Sequence, residues 1–107
     1  MSVDKKMVGA RIQRIRKENE LRQKDVAEAT DLTEQYISKI ERGDTAVTLK
    51  TISDIADYLG VDLGDLVAGT NTKSPDYGKY ELFSILEKAT SKQRVAITEH
   101  AKIVMKT

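Results

Sequence analysis

The chain has 107 residues, a formal net charge of +1, no cysteine and a single proline. Its length predicts one domain, or one domain with an extension, and the lack of cysteine excludes disulfide bonds and thiolate metal sites. No apolar run approaches the roughly 20 residues that cross a bilayer. Because residues 1–6 also lack the apolar stretch of a signal peptide, we expect a cytoplasmic protein with no membrane contact.

Charge is distributed unevenly along the sequence. Residues 4–24 carry a net charge of +5, residues 25–69 carry −7 and residues 70–107 carry +3. A molecule polarised in this way can present a basic face to a polyanion while its acidic rear orients the approach. The alternative interpretation is that the charged runs are only solvated helix faces.

The apolar spacing predicts an all-α fold. Val8, Ile12 and Ile15 form one helical stripe, and Thr33 and Gly43 mark the start and the stop of another helix. Five helices are predicted before residue 70, and they cover residues 4–19, 23–30, 34–42, 49–59 and 63–67.

The rest of the chain is predicted to be a linker followed by a helical hairpin. Residues 70–79 are polar and contain Pro75, as is typical of a linker. Apolar residues recur at helical spacing over 82–89 and again over 97–105, so residues 80–107 are predicted to form a C-terminal helical extension. Tyr80, His100 and Met105 are interpreted as packing residues.

The two apolar stripes of that extension need a partner surface, since one hairpin cannot bury both. Three arrangements are open. The helices could fold back on the first five, pair with a second copy in a homodimer, or bind another protein.

The segment over residues 23–43 points to a function. Two short helices meet at Asp31 and Leu32, and Ile37 and Ile40 are expected to face the core. The residues left on the outer face of the second helix are Glu34, Gln35, Ser38 and Lys39. Short and amide side chains of this kind suit hydrogen bonding to base edges in the major groove of duplex DNA, which admits one helix.

This stretch, above all ISKIERG at residues 37–43 with LGVDLGDL at residues 59–66, resembles the Cro and lambda-repressor type of helix-turn-helix family, also called the xenobiotic response element family. The resemblance covers about residues 7–67. It implies a five-helix lambda-repressor-like DNA-binding domain in residues 1–69. The implied function is a regulator of transcription, a repressor acting as a homodimer on double-stranded DNA, with no cofactor.

The resemblance also implies roles for matching positions. Gln23 would contact a phosphate and brace the third helix, and Tyr36 would lie against the DNA backbone. The implied DNA-binding set is Arg14, Gln23, Thr33, Glu34, Gln35, Tyr36, Ser38, Lys39 and Arg42. Arg16 and Glu41 match a pair that forms a buried ion pair between the first and third helices, so they are left out of the base-reading set.

Four positions depart from the family pattern. Arg22 stands where Ser or Thr usually caps the second helix, and Asp31 stands in place of the turn glycine. Glu34 can accept a hydrogen bond from a cytosine amino group but is repelled by phosphates. Asp44 lies in a loop, residues 43–47, that has no Lys or Arg, which puts a backbone contact from this loop in doubt.

The alternative function is an antitoxin or anti-regulator whose C-terminal helices bind a protein partner. Catalysis has no support, because the sequence shows no nucleophile–base set and no phosphate-cradling glycine loop. No metal site is expected either, since His100 is the single histidine and cysteine is absent.

Overall fold

The computed structural model describes residues 2–106, and these form seven α-helices. In chain order they are α1 (Lys5–Glu18), α2 (Gln23–Thr30), α3 (Glu34–Arg42), α4 (Leu49–Leu59), α5 (Leu63–Val67), α6 (Lys79–Lys88) and α7 (Ser91–Met105). The all-α prediction is confirmed. The chain divides into two compact units, Met1–Tyr77 and Gly78–Thr107.

The first unit encloses a core between its five helices. Helix α1 packs on α3 and α5, α2 packs on α3 and α4, and α4 packs on α5. The buried apolar residues are Val8, Ile12, Ile15, Val26, Ala27, Ile37, Ile40, Ile52, Ile55, Ala56, Leu59 and Leu66. Every helix of this unit therefore contributes its apolar stripe to one core.

Helix α1 begins at a well-formed cap. The Asp4 carboxylate accepts hydrogen bonds from the backbone N–H groups of Lys6 and Met7, both at 3.1 Å, which satisfies donors that the first helical turn leaves without a partner. The predicted stripe of this helix is buried, and Arg11, which lies outside that stripe, is buried as well, at 7% exposure.

Two glycines allow α1 to lie close to the end of α3. A Cβ atom on Gly9 would stand 2.3 Å from the carbonyl oxygen of Ile40 and 2.6 Å from that of Glu41. Gly43 ends α3 in the left-handed conformation with φ of 73°, and a Cβ there would stand 2.7 Å from the Cα of Lys6. Both positions therefore need glycine for packing, and Gly43 needs it also for its backbone.

Residues 70–77, within the predicted linker, carry hydrogen bonds to the start of the chain. Val3 and Asn71 form an isolated antiparallel bridge. The Asp4 N–H donates to the Thr70 carbonyl at 2.7 Å, and the N–H of Thr72 donates to the carbonyl of Ser2, also at 2.7 Å. These bonds join segments about 70 residues apart in sequence, and they close the first unit next to the cap of α1.

The second unit consists of two helices without buried residues, and α7 begins with a side-chain cap whereas α6 does not. Thr90 caps α7 by accepting a hydrogen bond from the Gln93 N–H at 3.1 Å, while the Gln93 side chain accepts one from the Thr90 N–H, a capping box. No residue of α6 or α7 is buried. The prediction that Tyr80, His100 and Met105 pack is therefore wrong within this chain, since all three are exposed.

Within residues 2–106, no helix is both long and apolar enough to cross a membrane.

Candidate nucleic-acid interface

Helices α2 and α3 are joined by a tight turn at residues 31–33. Asp31 adopts the left-handed conformation with φ of 57°, which Asp tolerates better than most residues. The N–H of Leu32 then donates to the carbonyl of Ala27 at 2.9 Å. The turn thus forms without the glycine that the family pattern has at this position.

The first turn of α3 is held by Thr33. Its hydroxyl accepts a hydrogen bond from the Tyr36 N–H at 3.1 Å, so the side chain of this predicted DNA-contacting residue serves as the helix cap. Because Thr33 is exposed, the cap lies at the surface together with the first residues of α3.

Helix α3 has a buried side and an exposed side. Ile37 and Ile40 are 0% and 1% exposed, whereas Glu34, Gln35 and Lys39 are exposed. The core therefore fixes the rotation of the helix about its axis, and this rotation directs an amide, a carboxylate and an ammonium group into solvent.

Several predicted residues line one surface depression of about 600 Å³. Its lining residues are Asp31, Leu32, Thr33, Gln35, Tyr36 and Lys39. Tyr36 is half-buried and packs against the core, so it forms a firm wall of the depression. The structure thus brings Thr33, Gln35, Tyr36 and Lys39 together at the turn and the outer face of α3.

The last turn of α3 carries a second group of polar side chains, which hydrogen-bond to one another. The Arg42 guanidinium donates to the Ser38 hydroxyl and, through Nε, to the Asp44 carboxylate at 2.8 Å. This arrangement was not predicted from the sequence. The i, i+4 spacing of Ser38 and Arg42 was enough to predict their contact. The contact of Arg42 with Asp44 depends on the direction of a loop, which local sequence spacing does not indicate.

Behind α3 lies a network of polar side chains that is shielded from water. Arg16 donates to Glu41 from Nε at 2.7 Å and from Nη2 at 2.9 Å, a bidentate pair. The hydrogen bond to Glu41 raises the pKa of Arg16. A third guanidinium N–H is satisfied by the carbonyl of Leu21 at 2.8 Å. Since the two side chains are 9% and 1% exposed, this pair connects α1 to α3 inside the unit.

Gln23 extends this network to α2. Its side-chain N–H donates to Glu41 at 3.1 Å, and the residue is half-buried at the first position of α2. This contact places the amide of Gln23 behind α3, where it joins the two helices of the motif.

The remaining predicted residue, Arg14, lies elsewhere in the structure. It is on the exposed side of α1, where its Nε atom is 3.8 Å from the carboxylate of Glu18. An exposed pair at i, i+4 holds a side chain only weakly, so the pair leaves Arg14 able to take another anionic partner.

The start of α2 has a cap of its own despite the unusual Arg22. Asp25 accepts a hydrogen bond from the Arg22 N–H at 2.8 Å, which is the reciprocal half of a capping box. The Arg22 guanidinium also pairs with Asp25 at 3.0 Å. These contacts lower the pKa of Asp25, and they compensate for the missing Ser or Thr.

Two short helices joined by a tight turn, with the second exposing one polar side, define a helix-turn-helix protein. The helix-turn-helix family HTH_3 matches residues 12–66, just over half of the sequence. The chain belongs to this family of DNA-binding transcriptional regulators. The resemblance inferred from residues 7–67 is thus confirmed.

Individual relatives agree with this assignment. The chain is 36% identical over 67 residues to y4dJ, an uncharacterised HTH-type transcriptional regulator of Sinorhizobium fredii, across 63% of this chain and 87% of the relative. It is 33% identical over 73 residues to the immunity repressor protein of Bacillus phage phi105, across 68% of this chain and 51% of the repressor. The chain thus spans about half the length of that repressor.

A solved structure has the same arrangement of helices. The restriction-modification controller protein C.AhdI from Aeromonas hydrophila superposes with a TM-score of 0.57 at 28% identity, over 59% of this chain and 96% of that protein. The likeness therefore concerns the helix-turn-helix unit, and the C-terminal helices have to be interpreted from their own residues.

Proposed function

We propose that the protein is a sequence-specific repressor that binds double-stranded DNA as a homodimer in the cytoplasm and covers a promoter. Helix α3 is the reading element, and its outer face enters the major groove. The proposal includes no catalytic step, metal or cofactor.

One observation carries the proposal, the fixed exposure of Glu34, Gln35 and Lys39 on a helix whose other side is buried. Gln reads adenine through two hydrogen bonds, Lys reads guanine and Glu accepts from cytosine. Because the core and the Arg16–Glu41 pair hold α3 in place, the backbone that carries these groups is positioned before DNA arrives, which reduces the entropy lost on binding.

The structure also supports a ranking among the predicted contacts. Lys39 is exposed, whereas the Arg42 guanidinium is occupied by Asp44 and Ser38. A phosphate has to displace Asp44 before Arg42 can bind it. We therefore infer that Lys39 contributes more to affinity than Arg42, and that Asp44→Asn tightens DNA binding.

The decisive experiment is selection of bound sites from random duplexes, followed by titration of variants on the selected site. Gln35→Ala and Lys39→Ala should each lose about 1–3 kcal/mol of binding free energy and relax the preference at one base pair. Lys102→Ala removes the same charge from α7 and should keep both affinity and preference. Melting temperatures near wild type show that the fold is intact. If both α3 variants kept full affinity and the same base preference, the outer face of α3 would not be the surface that reads DNA.

Salt dependence tests the phosphate contacts separately. The logarithm of the affinity should fall with the logarithm of salt concentration, with a slope of about −0.9 per phosphate neutralised. Arg14→Ala should reduce that slope by about one if Arg14 contacts a phosphate. An affinity that does not change with salt concentration would contradict the proposal that the protein binds DNA.

Repression and dimer formation have separate support. The similarity to a phage immunity repressor favours repression. A homodimer reads two half-sites about 34 Å apart, which multiplies the weak affinity of one reading helix. Selected sites should then be palindromic.

The exposed apolar side chains of α6 and α7 favour a second candidate, an antitoxin or anti-regulator whose C-terminal helices hold a different protein. In that case the selected DNA sites need not be palindromic, and the purified chain is monomeric.

A further inference from the structure

We propose that Lys6, in the first turn of α1, binds a phosphate of the DNA backbone beside the end of α3. This inference rests on the proposed function, since it concerns the same DNA surface, and it adds a contact that comes from outside the helix-turn-helix residues. Phosphate contacts position a protein on the duplex and carry no sequence information directly. Lys6 therefore contributes to affinity and leaves the base preference unchanged.

The C-terminal end of α3 is the part of the reading helix that comes closest to the DNA backbone. A recognition helix places its N-terminal residues on base edges, and in α3 these are Glu34 and Gln35. Helix α3 has nine residues, so it is roughly 13–14 Å long, whereas the major groove is about 12 Å wide. The end of α3, where Gly43 stops the helix, therefore reaches the edge of the groove and the phosphates that border it.

This end of α3 has few cations of its own that are free to bind a phosphate. Arg42 is hydrogen-bonded to Ser38 and to Asp44. Residues 43–47, which follow the helix, contain no Lys or Arg. Lys39 is exposed, but it lies one turn earlier and belongs to the face that reads bases in the proposed complex. A phosphate at the edge of the groove is therefore best bound by a cation from another segment of the chain.

Lys6 lies directly against the end of α3. A Cβ atom on Gly43 would stand 2.7 Å from both the Cα and the Cγ of Lys6, so the backbone and the stem of this lysine lie next to the helix terminus. Lys6 is exposed, and among residues 2–106 it takes part in no ion pair. A lysine can lay its apolar stem on the protein and keep its ammonium group in water. The charge of Lys6 is thus free next to Gly43.

The backbone of Lys6 is held in place by the contacts of Asp4. The Asp4 carboxylate accepts hydrogen bonds from the N–H groups of Lys6 and Met7, both at 3.1 Å. It accepts another from the Tyr77 hydroxyl, and the Asp4 N–H donates to the Thr70 carbonyl at 2.7 Å. Because the first turn of α1 is fixed, only the side chain of Lys6 loses freedom when a phosphate binds. The three donors on the Asp4 carboxylate also reduce its competition with phosphate for the ammonium group.

The test is a titration of wild type and three lysine variants on the selected duplex over a range of salt concentrations. Lys6→Ala should weaken binding about 3- to 10-fold, as expected for one charge-assisted hydrogen bond at a solvated surface. It should also lower the slope of log affinity against log salt by about one and leave the base preference unchanged. Lys6→Arg keeps the charge and should bind within about twofold of wild type.

Lys5→Ala is the matched control. It removes the same charge from the neighbouring residue of α1, which points about 100° away around the helix. It should change the affinity less than about twofold, since an exposed charge without a close partner is largely screened by salt. Alanine is well tolerated in helices, so the melting temperatures of all four proteins should agree.

Duplexes in which one phosphate at a time is replaced by an uncharged methylphosphonate locate the contact. Wild type should lose affinity at one phosphate beside the groove at which Lys6→Ala loses none, because both changes remove the same interaction. A Lys6→Ala variant that keeps the wild-type affinity and salt slope would overturn the inference, and so would a Lys5→Ala variant that is weakened as much as Lys6→Ala. Both results leave the proposed function standing as long as wild type prefers its selected site. A wild-type chain that selects no duplex contradicts the proposed function itself, and the phosphate contact falls with it.

Discussion

The two units of the chain use the same kind of apolar periodicity with different outcomes. In the first unit, the stripes of five helices converge, and Ile12, Ile37 and Ile55 are completely buried. In the second, α6 and α7 have stripes of similar spacing, yet none of their residues is buried. Apolar spacing therefore predicts that a helix forms. Whether its apolar side is buried depends on how many other apolar stripes are available to pack against it.

The polar groups of the two units differ as well. Inside the first unit, Arg16 and Glu41 form a bidentate pair that is nearly closed to water, and Gln23 adds a further hydrogen bond. In the second unit, the ion pair of Lys102 with Glu99 is 3.4 Å long and about two-thirds exposed. Exposed pairs contribute about 0–1 kcal/mol, so the polar interactions of the second unit cannot replace its missing core.

The largest effect should come from breaking the buried pair. Glu41→Ala leaves the Arg16 guanidinium buried without its counter-ion, and the free energy of unfolding should fall by about 3–5 kcal/mol. Urea denaturation of the full chain measures this change. Glu18→Ala removes an exposed carboxylate from the Arg14 pair and should cost less than about 0.5 kcal/mol. Equal losses in the two variants would show that burial does not distinguish these pairs.

The next effect concerns the close approach of α1 to α3. Gly9→Ala should lower the free energy of unfolding by about 1–3 kcal/mol, because the new Cβ meets two carbonyl oxygens at the end of α3. Gly64→Ala is the matched control, since a Cβ there has no neighbour within 4 Å. Within helix α5 it should stabilise by about 0.5–1 kcal/mol. A Gly9 variant as stable as the Gly64 variant would contradict the described packing.

Much of the first unit could be predicted from the sequence, because helix limits depend on local signals. Its five helices were each predicted to within one residue at either end, through residues such as Thr33 and Gly43. The outer face of α3 followed from the same periodicity. The DNA-contacting roles of its residues remain predictions.

What could not be predicted depends on contacts between distant segments. The pairing of residues 2–4 with residues 70–72 joins parts of the chain that no local pattern connects. Arg11 is buried although it lies outside the apolar stripe of α1. The occupation of Arg42 by Asp44 depends on the path of a loop. Apolar spacing also suggested that Tyr80, His100 and Met105 pack, but all three are exposed.

Two equivalent caps allow the units to be compared directly. Thr33 and Thr90 each accept one hydrogen bond at 3.1 Å from the N–H three residues later. Thr33→Ala should lower the free energy of unfolding of the first unit by about 1 kcal/mol. Thr90→Ala should leave that value unchanged and instead reduce protection of α7 against amide exchange. If Thr90→Ala destabilised the first unit as much as Thr33→Ala does, the two units would fold as one.

The smallest expected effect concerns the contact that closes the first unit. The Tyr77 hydroxyl donates a hydrogen bond to the Asp4 carboxylate, and this bond is the main reason that the pKa of Asp4 lies below its ordinary value of 3.8. A carboxyl group whose pKa is lowered by folding stabilises the folded state above the unfolded pKa, and the contribution is lost as pH falls through the folded pKa. Because the pair is exposed to solvent, Tyr77→Phe should cost only a few tenths of a kcal/mol at about pH 6, and the difference from wild type should vanish at about pH 2. Tyr80→Phe removes a hydroxyl from the exposed second unit and should show no difference at either pH. A cost for Tyr77→Phe that stayed constant with pH would mean that the hydroxyl acts through packing rather than through the charge of Asp4.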